Sequence, residues 1–218
     1  MNFFNINKLI FLLLFVNFIS GCSLPKQDEE RNLYSLKNFS LIQLEKRGKK
    51  LFKLNSTDAT VDPLTNNINA KNVTIIFYNK NLLFNKISSK NCILDKENNK
   101  LYLYDQVLLD NDSNSQSYIR SNLLNWDMNN SNVLLKGNVF VKYYLTELKS
   151  NSATYNRKKD MVIFNEKTSY KIYKNDNVNN QSIVSLMADK ANIDNKKKAI
   201  IFDSVKNQVE SIINLDLF

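Results

Sequence analysis

The chain has 218 residues, of which 43% are hydrophobic and 23% charged, and a formal net charge of +9 at neutral pH. These values are typical of one folded domain with an appendage. The absence of histidine and the presence of only three glycines exclude histidine-based catalysis, histidine metal sites and glycine-rich phosphate loops. Much of the basic charge falls in turn-like segments, such as 157–159 and 196–198, without a nucleic-acid-binding motif, so no nucleic-acid partner is expected.

Residues 1–21 have the features of a signal peptide. Lys8 precedes an apolar run, Leu9–Ile19, which is shorter than the ~20 apolar residues of a membrane span. The run ends in Ile19-Ser20-Gly21-Cys22, which resembles the bacterial lipobox. This pattern predicts cleavage before Cys22, lipidation of its thiol and attachment to a membrane. The alternative is an uncleaved anchor helix that continues through Leu24.

A polar segment separates the signal peptide from the rest of the chain. It contains Pro25 and the charged run Lys26–Arg31, and it indicates a tether over residues 22–40. From residue 41 to residue 218, short apolar runs alternate with polar turns and helical periodicity is hard to find. The sequence therefore predicts an all-β domain of stacked antiparallel strands over 41–218. Cys92 is expected to be a buried, unpaired thiol in this domain.

A strand–turn–strand unit recurs five times in the predicted domain. Each unit begins at an acidic or amide residue and closes on a strand residue 11 or 12 positions later, and successive units start 29 to 38 residues apart. Such spacing is typical of arrays of one supersecondary unit. The clearest copy is Leu123–Val141. In its second strand, every second residue is apolar or is Gly137, which is the pattern of a strand with one buried face. The units start at Asp62, Asp95, Asp127, Asn156 and Asp194.

The apolar residues of these strands are candidates for the interior of the domain. Periodicity alone leaves open whether that interior is a solid core or a groove for acyl chains. An acidic pair, Asp110 and Asp112, lies in a loop rich in serine and asparagine and is interpreted as solvated rather than catalytic. The candidate inward residues are Leu101, Leu103, Val133, Leu135, Val139, Val141, Phe164 and Ile201.

Two segments carry a resemblance to a known family. Ser152–Asn156 places small residues, an aromatic and Asn before a turn, and Val133–Val139 follows an apolar-x-apolar-x-Gly-x-Val pattern. Both are similar to the repeat of lipopolysaccharide transport proteins. The layout, with a membrane-anchoring N-terminus, a tether and one β-domain, resembles the LptC-like members. The resemblance implies a twisted, V-shaped β-jelly-roll without enzymatic activity, cofactor or metal, which binds lipopolysaccharide acyl chains in an apolar groove.

The resemblance also implies partners and a location. These are the ABC transporter of lipopolysaccharide export and a periplasmic bridge protein, the latter joined by strand addition at sheet edges near Leu41–Leu44 and Val209–Leu217. The protein is expected on the periplasmic side of the envelope, anchored in the inner or outer membrane. The chain departs from the family by having a lipobox instead of a transmembrane helix, and by keeping the motif glycine only at Gly137. The alternative is a structural envelope lipoprotein with a solid β-core that binds protein partners only.

Overall fold

The structure, a computed structural model, describes residues 33–45, 47–79, 84–110, 117–173, 182–203 and 211–214. Within these ranges the chain forms a 14-stranded antiparallel sheet, which confirms the predicted all-β, jelly-roll-like fold. The predicted signal peptide and Cys22 lie outside the described residues. The strands are β1 (Tyr34–Leu44), β2 (Lys50–Val61), β3 (Ile68–Phe77), β4 (Lys86–Asp95), β5 (Lys100–Asp110), β6 (Ser117–Asp127), β7 (Asn132–Tyr143), β8 (Thr146–Asn156), β9 (Met161–Phe164), β10 (Thr168–Tyr173), β11 (Ser182–Ala188), β12 (Lys190–Asp194), β13 (Ala199–Asp203) and β14 (Ser211–Asn214).

The strands follow one another as a meander. Each strand from β1 to β9 pairs with the next, and the order then continues through β12, β13 and β14. β10 pairs with β8 and β11, so β9 and β10 act as two parts of one interrupted strand, as do β11 and β12. β1 begins at Tyr34, so the predicted end of the tether at residue 40 is wrong, because residues 34–40 already pair with β2.

The five predicted repeats are present as five turns at one end of the sheet. In each turn the starting side chain accepts a hydrogen bond from a backbone N–H of the same turn, at 2.8–3.1 Å. Short Asp and Asn side chains favour such turns because their oxygens reach backbone N–H groups a few residues ahead. The acceptor residues and their donors are Asp62 with Leu64, Asp95 with Asn98, Asp127 with Asn129, Asn156 with Lys159, and Asp194 with Lys197.

A line of backbone irregularities crosses the middle of the sheet and divides it into two arms. The register shifts by one residue within β5 and β7, as in a β-bulge. We call the strand halves beside the five turns the hairpin arm (strand residues within 34–37, 58–71, 91–104, 123–136, 152–164, 190–203 and 211–214) and the other halves the distal arm (strand residues within 39–56, 73–89, 107–121, 139–150 and 168–188). Residues of positive φ on this bend line are Asn38, Asn72, Asp105, Gln106, Gly137 and Asn138.

The two arms pack face to face over a shared apolar core. Phe52 and Phe77 of the distal arm contact Trp126 of the hairpin arm, with ring centroids 6.0 and 5.8 Å apart. Farther along the sheet, Tyr170 of the distal arm lies 4.5 Å from Phe202 of the hairpin arm. The bend therefore folds one continuous sheet into two layers, which bury the inner side chains of both.

Candidate functional site

Two ladders of apolar side chains run across the strands on the inner face. Each ladder joins directly paired residues, so it crosses the sheet at right angles to the chain direction. The hairpin-arm ladder is Tyr34, Val61, Ile68, Leu94, Leu101, Trp126, Val133, Tyr155, Val162, Ile193 and Ile200. The distal-arm ladder is Leu41, Leu54, Ile75, Ile87, Leu109, Ile119, Val141, Leu148, Tyr170 and Leu186.

The middle of this interior is closed to solvent. Seven of the eight candidate inward residues lie on the inner face and are at most 1% exposed: Leu101, Leu103, Val133, Leu135, Val139, Val141 and Phe164. The inward placement of Ile201 is wrong, since Ile200 and Phe202 hold the inner positions of β13 and Ile201 faces the other side. Residues 199–202 are all apolar, so the sequence does not show which of them face inward.

The interior opens at the β1 edge. Leu36 pairs with the buried Ala59 and is therefore on the inner face, yet it is 39% exposed, and Tyr34 is 62% exposed. Phe39 and Leu41 share this face and are half-buried. Among the described strands β1 pairs only with β2, and the exposure of Tyr34 and Leu36 shows that its inner face is partly uncovered. Sequence reasoning assigned residues 34–40 to a polar tether, although the apolar alternation in the segment was the available signal.

The other end of the described sheet is partly uncovered as well. Leu186 continues the distal-arm ladder beside the buried Tyr170 and is 36% exposed. β11 pairs only with β10 among the described strands. The predicted edges also lie at the two ends of the described strand order, because Leu41–Leu44 belongs to β1 and Val209–Leu217 contains β14. The distal-arm ladder thus runs from β1 to β11, and both of these strands are partly uncovered.

Polar contacts hold the two arms together along their rims. Lys96 of a hairpin turn donates a hydrogen bond to the Gln43 side chain of the distal arm at 2.7 Å. Tyr143 of the distal arm donates to Asn195 at 2.9 Å, and Asn195 in turn donates to Asp160. Asp160 also accepts a hydrogen bond from Tyr155 at 2.7 Å. Burial and the adjacent carboxylate of Asp160 raise the pKa of Tyr155 well above its ordinary value.

The seam is the place where Phe52 and Phe77 of the distal arm meet Trp126 and Arg157 of the hairpin arm. The guanidinium carbon of Arg157 lies 4.3 Å from the ring centroid of Phe77 and 4.5 Å from that of Trp126. Burial lowers the pKa of Arg157 from its ordinary value. The seam therefore combines an aromatic surface with a cation at the rim of the apolar interior. The sequence pattern alone had placed Arg157 in a solvated turn.

Side chains with reactive groups in the described residues include the thiol of Cys92 and the carboxylate of Asp110. Burial raises the pKa of the Cys92 thiol to about 12, so the nucleophilic thiolate is scarce at neutral pH. Asp110 ends β5, and Asp112 lies outside the described residues. In the described segments, no cluster of three His, Cys, Asp or Glu side chains has the arrangement of a metal site. No helix within the described ranges has the length and apolarity of a membrane span.

Comparison with protein-family models assigns the chain to a family. A family model described as "Lipopolysaccharide-assembly, LptC-related" matches residues 8–134, more than half of the chain, and confirms the predicted family. The matched range includes the open β1 edge and both ladders as far as the start of β7. No curated protein matches the sequence.

Proposed function

Since the chain belongs to the LptC-related family of lipopolysaccharide assembly, whose members take part in lipopolysaccharide transport, we propose that it is a non-enzymatic carrier. It binds lipopolysaccharide acyl chains between its arms and passes them along a periplasmic bridge toward the outer membrane. The observation that carries this proposal is the pair of apolar ladders, which run from β1 to β13 in the hairpin arm and to β11 in the distal arm and are exposed at β1.

The ladders suit a hydrocarbon chain for a simple energetic reason. Each methylene group moved from water to an apolar surface contributes ~0.8 kcal/mol, so several methylenes would outweigh the weak polar contacts across the rims. Acyl chains would enter beside Tyr34 and Leu36, where apolar inner side chains already meet solvent. Farther inside, the arms must separate to admit a ligand, because the central ladder residues are buried against each other.

The sheet edges supply the proposed contacts with partners. β1 leaves one row of backbone N–H and C=O groups unpaired within the described sheet, which permits addition of a strand from a neighbouring protein. In this proposal one edge faces the ABC transporter of lipopolysaccharide export and the other edge faces a bridge protein. Cys22 carries the lipid that holds the protein on the periplasmic side of a membrane.

Site-specific photo-crosslinking in cells tests the carrier function. A photoreactive residue at Leu135, on the inner face, is expected to capture lipopolysaccharide, whereas the same residue at the exposed neighbouring Lys136 is not. A second pair, Leu36 and Lys37, repeats the comparison at the open edge. Equal capture at inner and outer positions, or capture of protein alone while lipopolysaccharide export continues, would refute the carrier function.

The second candidate is a structural envelope lipoprotein with a solid core. It is favoured by the complete burial of Leu101, Leu135 and Phe164, which closes the middle of the interior to solvent. Delipidated protein that retains its protein partners but never binds a fluorescent fatty-acid probe would support this function. Probe binding that is lost after Leu36→Asp would support the carrier.

The anchor is tested separately. Radiolabelled palmitate is expected to label the wild-type chain and not Cys22→Ala, with Cys92→Ala as the matched control. Labelling that persists in Cys22→Ala would show that the lipobox assignment is wrong.

A further inference from the structure

Arg157 is held in an unusual setting for a cation at the edge of an apolar core. It follows β8 and lies over the rings of Phe77 and Trp126, which belong to opposite arms. A guanidinium in contact with aromatic rings keeps its N–H groups in its own plane, where they can donate hydrogen bonds. Two aromatic rings of opposite arms thus hold the guanidinium at the seam, and its N–H groups form its hydrogen-bonding edge.

Part of that hydrogen-bonding edge is unsatisfied. The Nε atom of Arg157 is buried and has no hydrogen-bond acceptor in the described part of the chain. A buried donor without an acceptor costs about 1–3 kcal/mol, and more when the group is charged. Glu45, from the turn after β1, attracts the guanidinium by its charge, but it forms no hydrogen bond with Nε. The site therefore favours an added anion.

Lysines of two neighbouring turns add positive charge beside Arg157. Lys196 donates a hydrogen bond to the backbone carbonyl of Lys158 at 3.3 Å, which brings a second basic turn beside the one that carries Arg157. Lys158, Lys159 and Lys196 are exposed. The nearby Asp160 is buried and already accepts hydrogen bonds from Tyr155 and Asn195. The lysines would attract an anion from a distance, and the guanidinium of Arg157 would donate hydrogen bonds to it.

We propose that Arg157 is a receptor for a phosphate group, bound in the plane of its guanidinium beside the apolar surface of Phe77 and Trp126. A lipid phosphate fits this site because its hydrocarbon would lie in the interior while its headgroup stays at the rim. The lipid form of the proposal rests on the carrier function proposed above, whereas binding of free phosphate does not.

Binding measurements on the purified full chain test the receptor. The probes are inorganic phosphate, intact lipopolysaccharide and lipopolysaccharide stripped of its phosphates. Arg157→Met keeps the length and apolar contacts of the side chain but removes the charge and the donors. The matched control is Arg120→Met, because Arg120 also stacks on a ring, that of Tyr118 at 4.8 Å, but is exposed on a strand. Arg157→Lys serves as a second variant should Arg157→Met fail to fold.

The expected result is a loss of at least tenfold in the affinity of Arg157→Met for intact lipopolysaccharide, with unchanged affinity for the stripped form and no change in Arg120→Met. The NMR signal of the Arg157 Nε–H in the wild-type chain should also shift on binding, which requires no variant. Equal affinity of Arg157→Met and wild type for intact lipopolysaccharide, or an unmoved Nε–H signal, would overturn the receptor while leaving the carrier in place.

The two proposals fail in different ways. A wild-type chain that binds neither form of lipopolysaccharide refutes the carrier. In that case a shift of the Arg157 Nε–H signal with inorganic phosphate, absent for Arg120, supports a site for free phosphate, and no shift overturns the receptor as well. Glu45→Gln adds an independent check, since removal of the competing carboxylate should strengthen phosphate binding about two- to threefold, and weaker binding would count against the site.

Discussion

Gly137 lies where β7 crosses the bend line, and its substitution by alanine tests how the bend is built. Its φ is +74°, a left-handed conformation that costs an L-residue roughly 1–2 kcal/mol. A Cβ atom there would lie 2.9 Å from Nδ2, 3.1 Å from Cβ and 3.3 Å from Cγ of Asn122 on the adjacent strand β6. Since overpacking adds about 1–3 kcal/mol, we expect Gly137→Ala to lower the free energy of unfolding by about 2–5 kcal/mol.

Urea unfolding followed by tryptophan fluorescence measures this loss. Trp126 is the single tryptophan of the chain and is 1% exposed at the seam, so its emission reports separation of the arms. Gly48→Ala is the matched control, because Gly48 has nearly the same φ, +76°, but no atom within 4 Å of the added Cβ. This control should cost only the conformational term, roughly 1–2 kcal/mol.

A third variant isolates the contact between the two strands. Asn122→Ala removes Nδ2 and Cγ, two of the three close atoms, so the double variant with Gly137→Ala should be more stable than the sum of the single changes predicts. The reasoning is refuted if Gly137→Ala costs no more than Gly48→Ala, or if the two changes at positions 122 and 137 are simply additive.

Three further predictions concern the interior. Leu135→Ala should lower the free energy of unfolding by about 2–5 kcal/mol and the exposed control Lys136→Ala by less than about 0.5 kcal/mol, as measured by urea unfolding. In a Cys22→Ser background, Cys92 should react with a thiol reagent at pH 8 only in urea, because burial raises its pKa to about 12; rapid labelling of the native protein would contradict this. The raised pKa of Tyr155 stabilises the fold fully below the unfolded-state pKa of about 10 and progressively less as pH rises toward the folded-state value, so Tyr155→Phe should flatten the alkaline loss of stability, and an unchanged pH profile would refute this.

The sequence predicts the fold well where its alternation is continuous. In β7 the inner face passes from Leu135 to Val139 across the bend, a step of four residues, because the bulge adds one residue. Inner residues therefore keep one parity along the whole strand, and the strand is read as one element. In β6 the inner face passes from Ser121 to Leu124, a step of three. The inner positions of β6 therefore change from odd-numbered to even-numbered residues at the bend. In the sequence, such a change looks the same as the end of a strand.

The open edge was the part of the candidate site that the sequence concealed. β1 combines inner apolar residues with Lys37 and Asn38 at its centre, so its composition resembles that of a linker. The burial of a strand depends on the other strands that pack against it. The residues of β1 alone therefore do not show that its inner face is exposed. For the same reason the sequence did not reveal that Arg157 stacks on Phe77, since these residues belong to different arms.

The bend line also gives the domain a tolerance for changes in chain length. Elsewhere in a strand, one inserted or deleted residue would turn every later core side chain toward solvent. At the bend, steps of three and of four residues coexist in neighbouring strands, and both deliver apolar side chains to the same interior. Insertions and deletions of single residues are therefore expected to accumulate along this line in natural variants, while the spacing within each arm stays constant.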